Sequence, residues 1–318
     1  MQYPRTARQS VEHRRKQRPR RLSWLAIYLV CLNLICGGLV VSLWLPERAA
    51  TAQSSTLPTA QVLVGQLGVP VSVAAGIAQP AEAIVAAPTP DGPLQAGPVP
   101  ILMYHYIRTV DAGADPIGYN LSVAPELFDA QMAWLRDNGY ATVSMATAQR
   151  CIAGEPVCPP NAIALTFDDG YLDAYTDALP TLQRYGFIGT FYLVNNFMGQ
   201  PGYMSWEQAG EMNKADMEIG AHTLDHLDLT VIDQGEARRQ IEQSKIDIEA
   251  RLGVIVSSFC YPSGRYTGET VALVRELGFA NATTTRWDDD YSDPFAYPRR
   301  RIEGGKDVDV FAAVVRGY

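Results

Sequence analysis

The chain has 318 residues, with 26 Lys and Arg against 34 Asp and Glu and a formal net charge of −8. That length could hold two domains, but the composition narrows it to one domain behind an anchor. From Arg5 to Arg21 the chain is strongly basic, with Glu12 the only acid. A basic run can mean nucleic acid, but this one lies just before an apolar segment, so nucleic acid is excluded as a partner.

Residues 1–24 are predicted to be a cytoplasmic tail. Leu25 to Leu45 carries no charge and is flanked by Trp24 and Trp44. As a helix rising ~1.5 Å per residue it would reach about 32 Å, enough to cross a ~30 Å hydrocarbon core. The preceding arginines predict a cytoplasmic N-terminus and an exported remainder, which makes the protein a single-pass membrane protein. A cleaved signal peptide is the competing reading, since Ala49-Ala50-Thr51-Ala52 offers small residues. The apolar run exceeds the usual 7–15 residue core of such peptides, which favours an uncleaved anchor. Ile35 before Cys36 is too bulky for a lipoprotein signal. Residues 46–97, rich in Ala, Pro, Gln, Thr and Val and without aromatics, are predicted to be a disordered linker.

From Pro98 short apolar runs alternate with amphipathic ones through Tyr318. Strands are predicted at Pro100–Tyr104, Tyr140–Val143, Ala162–Phe167, Gly189–Val194, Met217–Ile219, Ser258–Tyr261 and Ala280–Thr284. Helices are predicted at Pro125–Asn138, Tyr171–Tyr185, Trp206–Ala215, Gln234–Leu252 and Gly268–Leu277. Regular β-α alternation argues an α/β fold, either a parallel barrel or a doubly wound sheet.

Two motifs stand where strands should end. Thr166-Phe167-Asp168-Asp169-Gly170 places adjacent carboxylates after an apolar run. Side chains alternate along a strand, so the two are expected to divide their work, one binding a cation and the other accepting a proton. Taken alone, the pair also reads as a solvated turn. Further on, Gly220-Ala221-His222-Thr223-Leu224-Asp225-His226 offers two histidines that share a face if Thr223 to His226 forms a helical turn, a spacing suited to one metal.

These motifs, in this order, resemble the polysaccharide deacetylase family, the NodB-like carbohydrate esterases, over essentially all of Pro98 to Tyr318. The resemblance implies a distorted (β/α) barrel with fewer than eight strands. It implies Asp168 as catalytic base and Asp169, His222 and His226 as ligands of a divalent metal, usually zinc, with cobalt or nickel as alternatives. It also implies removal of N-acetyl groups from an extracellular or cell-wall polysaccharide. O-acetyl ester hydrolysis and a catalytically silent glycan-binding protein are the competing functions.

The sequence departs from the family pattern twice. The four histidines are His13, His105, His222 and His226, so the family's usual C-terminal acid histidine is absent. Leu102-Met103-Tyr104-His105 resembles an exopolysaccharide deacetylase branch in which an N-terminal strand carries that acid, so His105 is the candidate, with a structural strand-end histidine as the alternative. In Phe259-Cys260-Tyr261-Pro262-Ser263-Gly264, Cys260 stands where the family carries an arginine that orients the base. Arg299, in Pro298-Arg299-Arg300-Arg301, is the candidate replacement; the alternative is three exposed arginines before a terminal strand. The Ser263 amide is a candidate oxyanion donor. Of the five cysteines, Cys31 and Cys36 fall in the apolar run and Cys260 reads as core. Cys151 and Cys158 bracket a turn-rich loop suited to a disulfide outside the cell.

Overall fold

A computed structural model describes residues 92–317. The predicted tail, anchor and nearly all of the predicted linker lie outside them. Among the described residues no helix is long and apolar enough to cross a membrane.

The strands are β1 (Ile101–Tyr104), β2 (Tyr106–Ile107), β3 (Ser122–Val123), β4 (Ala141–Val143), β5 (Ala162–Phe167), β6 (Thr190–Leu193), β7 (Glu218–Ala221), β8 (Ser258–Cys260), β9 (Asn281–Thr283) and β10 (Arg300–Arg301). Eight pair in parallel in one sheet. Seven run in the order β10-β1-β5-β6-β7-β8-β9, and β4 joins from the side. The resemblance implies fewer than eight, and the discrepancy has a local cause. β4 pairs with Ala162–Ala164 and β6 with Thr166–Phe167, so both share one edge of β5 and the path around the sheet counts seven. The stretch after β9 bends the sheet back on itself, because Tyr297 bridges to Thr283 and β10 pairs with β1.

Parallel strands covered on both faces need apolar residues on both. Leu102, Tyr104, Leu165, Phe167 and Phe191 face one core, while Ile101, Ala164, Tyr192 and Cys260 face a second, smaller one. Gly220 is glycine because a Cβ there would lie 2.5 Å from the Tyr192 ring.

The helices are α1 (Pro116–Leu121), α2 (Pro125–Asp137), α3 (Met145–Ile152), α4 (Leu179–Tyr185), α5 (Trp206–Lys214), α6 (Gln234–Leu252), α7 (Gly268–Glu276) and α8 (Val308–Arg316). Three of them, α1, α3 and α8, escape the sequence reading. Helix α3 meets the N-terminal ends of the strands: the Met145 amide donates to Thr190 Oγ1 (3.0 Å) and the Ala146 amide to Glu218 Oε2 (3.1 Å). The helix predicted over 171–185 is divided, with a π-helical turn at Ala174–Ala178 before α4. Pro180 explains it. Proline has no N–H to donate and its ring crowds the carbonyl four residues back, and a widened turn relieves both.

Cys151 and Cys158 form the expected disulfide. The entering chain is pinned against it, since Gln95 exchanges both backbone hydrogen bonds with Cys158 and the Gly97 amide donates to Cys151. These two residues belong to the predicted linker, so packing against the disulfide loop begins before Pro98.

Candidate active site

Every proposed side chain but one lies at the C-terminal ends of the strands or in the loops that leave them, the usual location of sites in parallel α/β folds; the exception is Arg299, which immediately precedes β10 and reaches the site through its long side chain. β5 ends at Phe167, so strand alternation does not separate the two aspartates. Asp169 instead adopts a left-handed conformation (φ 75°), which turns its carboxylate to different partners. Among the described residues six non-glycines have positive φ; three of them, Asp169, His226 and Ser263, belong to the proposed site, and a fourth, Thr223, lies between its two histidines. Such strain persists only where surrounding contacts hold it.

Asp168 is 3% exposed and gripped by Arg299 in a two-pronged ion pair, Nη1 to Oδ1 at 2.7 Å and Nη2 to Oδ2 at 2.8 Å. Arg299 is 1% exposed, and Arg300 is also buried, so the reading of three exposed arginines fails. The guanidinium is aimed by Nε donating to the Thr284 carbonyl (2.8 Å) and Nη1 donating to Thr166 Oγ1 (3.1 Å). Its Nη2 lies 3.2 Å from Cys260 Sγ. A small residue at 260 leaves room for an arginine arriving from the other end of the chain. Burial alone would raise the Asp168 carboxyl, but Arg299 overrides it and holds the group well below the usual carboxylate range.

Asp169 faces the histidines. His222 Nε2 is 3.3 Å and His226 Nε2 3.5 Å from its Oδ1, and that buried oxygen has no hydrogen-bond partner. One ligand atom from each residue lies within 4.8 Å of the others. His222 Nδ1 donates to the Cys260 carbonyl (2.7 Å), which turns Nε2 toward Asp169, the orientation that metal-binding histidines use. Burial opposes charge on His222, yet Cys260 and the two aspartates outweigh it and raise its pKa well above the ordinary value. The pocket therefore favours positive charge between His222 and Asp169. Burial and the neighbouring His222 lower His226, keeping its imidazole in the neutral, ligating form. An orphaned carboxylate oxygen, an oriented imidazole and a neutral one fit a divalent cation.

The turn carrying the histidines is not helical. Thr223 (φ 69°) and His226 (φ 56°) are left-handed, and the imidazoles converge through the loop's path and not through helical spacing. Gln240, fully buried on α6, holds this loop by accepting from the amides of Leu224 (3.1 Å) and Asp225 (2.9 Å). The sequence reading missed Gln240. Its signal was a carboxamide on the apolar stripe of Ala237, Ile241 and Ile248.

His105 Nε2 lies 3.9 Å from Asp168 Oδ2; burial lowers its pKa against the pull of both aspartates. Ser263 sits in the loop after β8 with φ 54°. Its carbonyl accepts from Thr285 Oγ1 at 3.4 Å. Beside Asp169, Tyr171 stacks on Tyr106 (centroids 3.6 Å) and lies tilted against Tyr203 (5.1 Å), with Arg108 over Tyr106. These rings join β2 to two loops around the site.

The family model for polysaccharide deacetylase matches residues 157–282, the span holding both motifs. YxkH of Bacillus subtilis (strain 168), named after the polysaccharide deacetylases, is 31% identical over 219 residues, covering 68% of this chain and 76% of that protein. The poly-beta-1,6-N-acetyl-D-glucosamine N-deacetylase of Escherichia coli (strain K12) is 30% identical over 119 residues, 32% of this chain and 18% of that one. The structure of the Streptococcus pyogenes deacetylase PplD in complex with acetate superposes with a TM-score of 0.65 at 26% identity, covering 70% of this chain and 99% of PplD. With the paired aspartates and both histidines inside the matched span, the chain belongs to the polysaccharide deacetylase family.

Proposed function

We propose that the domain is a metal-dependent de-N-acetylase of N-acetylhexosamine units in an extracellular or cell-wall polysaccharide. The observation that carries this reading is the split pair: Asp168 locked to an arginine, Asp169 with a free oxygen facing two histidines. Asp169, His222 and His226 hold the cation, with zinc the first choice for a set of two imidazoles and one carboxylate. Once bound, it supplies Lewis acidity toward the acyl carbonyl and toward a water.

The chain's own groups do the rest. Asp168 takes a proton from the attacking water, with Arg299 keeping the carboxylate ionised and aimed. His105 donates a proton to the departing nitrogen. Burial keeps His105 neutral in the resting site, so its acid form arises by taking a proton. Asp168 Oδ2 is 3.9 Å away, beyond direct transfer, so the proton it takes reaches His105 through one intervening water. The Ser263 amide donates to the oxyanion. The C–N bond breaks, and acetate and a free amino sugar leave.

Read as an anchor, the uncharged Leu25–Leu45 run would hold this chemistry outside the membrane, a reading that the Cys151–Cys158 disulfide supports because such bonds persist in oxidising compartments. The test is acetate release by the full chain from poly-N-acetylglucosamine, peptidoglycan and chitin oligomers, with and without chelator. Chelator-sensitive release from one of them is expected. Release only from O-acetylated xylan would replace the amide by an ester, and no release from any substrate would leave a glycan-binding protein.

A further inference from the structure

The two histidines of the site are held in different ways. His222 directly follows β7; its amide donates to the Leu193 carbonyl (2.9 Å) and its ring is fixed by the Cys260 carbonyl (2.7 Å). His226 has no such anchor. Its Nε2 faces Asp169 at 3.5 Å, but among the described residues no hydrogen bond fixes its ring, although a metal-binding imidazole ordinarily has one. Its place therefore depends on the backbone that carries it. That backbone is strained, since Thr223 and His226 both have positive φ, a conformation rare for a β-branched residue such as threonine.

Two other elements hold the strained turn. From the 3-10 turn Asn195–Phe197 after β6, the Asn195 and Asn196 amides donate to the carbonyls of Thr223 (3.2 Å) and Leu224 (2.9 Å). From α6, Gln240 Oε1 accepts the amides of Leu224 and Asp225. Asp225, the acid between the two histidines, ties these elements together. Its Oδ1 accepts from Asn196 Nδ2 and its Oδ2 from Gln240 Nε2, each at 2.6 Å.

The chemistry of Gln240 matches this place closely. Its oxygen meets two N–H donors, and its nitrogen meets two carboxylates, Asp225 and Glu236 (2.9 Å). One orientation of a carboxamide satisfies all four partners. A glutamate there would set a third carboxylate beside the other two.

We propose that Asp225, Gln240 and Asn196 are positioning residues: they set His226 at ligating distance from Asp169 before the metal arrives, and so determine how tightly the site holds it. The proposal rests on the reading of Asp169, His222 and His226 as ligands, and adds to it a source of affinity outside the ligand set.

The experiment measures the zinc affinity of the full chain by competition with a fluorescent chelator. Thermal unfolding of the metal-free forms confirms that each variant folds, because a residue needed only for folding would lower stability and leave affinity alone. Asn196 is exposed, so Asn196→Ala removes a donor to Asp225 with little risk to the fold. Gln240→Met keeps the length of the side chain and removes all its hydrogen bonds. Each should weaken zinc about 10–100-fold, the usual cost of losing a partner that orients a ligand. Gln240→Glu should do the same by repulsion. Adding Asp225→Asn to it should restore most of the affinity, because donor and acceptor then change sides and the bond between positions 225 and 240 returns. Hydrogen exchange on the metal-free wild type should find the Leu224 and Asp225 amides slow. Fast exchange there, unchanged zinc affinity in the folded single variants, or no recovery in the double variant overturns the positioning role alone. A wild type that binds no zinc sinks the ligand reading, and the proposal with it.

Discussion

Asp168 and Asp169 are neighbours in sequence and both buried, yet their surroundings are opposite. Asp168 has a guanidinium on both oxygens, while Asp169 keeps one oxygen unpartnered between two imidazoles. A third carboxylate, Asp173, shows what burial does without such partners. It too has a buried oxygen with no hydrogen bond, and burial pushes its pKa up to about 6. The same force acts on all three, and only the nearest cation decides the outcome. Asp168 is therefore built to stay charged, and Asp169 to receive a charge.

Exchanging partners breaks that contrast most severely at the histidines. His222→Ala or His226→Ala should abolish both bound metal and acetate release, since a site of three protein ligands that loses an imidazole holds metal poorly. Asp168→Asn should keep its metal and lose about 10²–10⁴-fold in rate, the usual worth of a general base. Metal analysis beside kinetics checks both. An Asp168→Asn protein without metal would reverse the roles assigned to the two aspartates.

Arg299→Gln should be nearly as damaging, by another route. Removing one partner of a buried ion pair costs about 3–5 kcal/mol, visible in denaturant unfolding. The sign with pH follows from Asp168's lowered pKa. In wild type the ion pair contributes stability above the unfolded value of ~3.9 and loses it as pH falls toward the folded one. Without Arg299, burial should raise the Asp168 pKa, moving the acid limb of kcat/KM to higher pH. An unmoved limb would mean that Asp168 does not titrate in the reaction.

His105→Ala sharpens the comparison on the Asp168 side alone. Amide hydrolysis should slow by roughly 10²–10⁴-fold with fold and metal content intact. An activated acetyl ester, whose leaving group hardly needs a proton, should suffer less. Equal losses on the two substrates would return His105 to a structural part at the strand end.

The smallest effect is expected at Asp173. A folded pKa of about 6 against ~3.9 unfolded means this group stabilises the fold below pH ~4 and loses that contribution as pH rises to about 6. Asp173→Asn removes the charge and should raise stability at pH 7 by on the order of 1 kcal/mol. Thermal melts at pH 4 and pH 7 give the check: the gain should appear at the higher pH and vanish at the lower.

Much of this was legible in the chain. Ala162–Phe167 and Gln234–Leu252 stand where the apolar periodicity puts them, because a buried strand and an amphipathic helix write their environment into consecutive residues. The Asp-Asp-Gly and His-Thr-Leu-Asp-His strings name four site residues for the same reason: each lies within one loop. The helix at 145–152 is too short to declare itself by pattern alone, whereas that at 308–316, as long as α5 and α7, escaped the reading for no reason of length, and β10 has only two residues, both arginine.

What the sequence could not decide is who meets whom across the fold. Arg299 grips Asp168 from 131 residues away, and nothing local distinguishes it from Arg300, which points to the Val315 carbonyl. The curl of the sheet makes that choice by bringing the segment after Tyr297 between β9 and β1. Gln240 reaches the histidine loop only because α6 packs beneath it, and the two imidazoles converge through left-handed residues and not through a helical turn. Local sequence selects which groups are present and the conformation of short segments, because those energies depend on near neighbours. The charge state of each carboxylate depends on groups brought close by the tertiary fold, since burial and short-range ion pairing act through space, regardless of position along the chain.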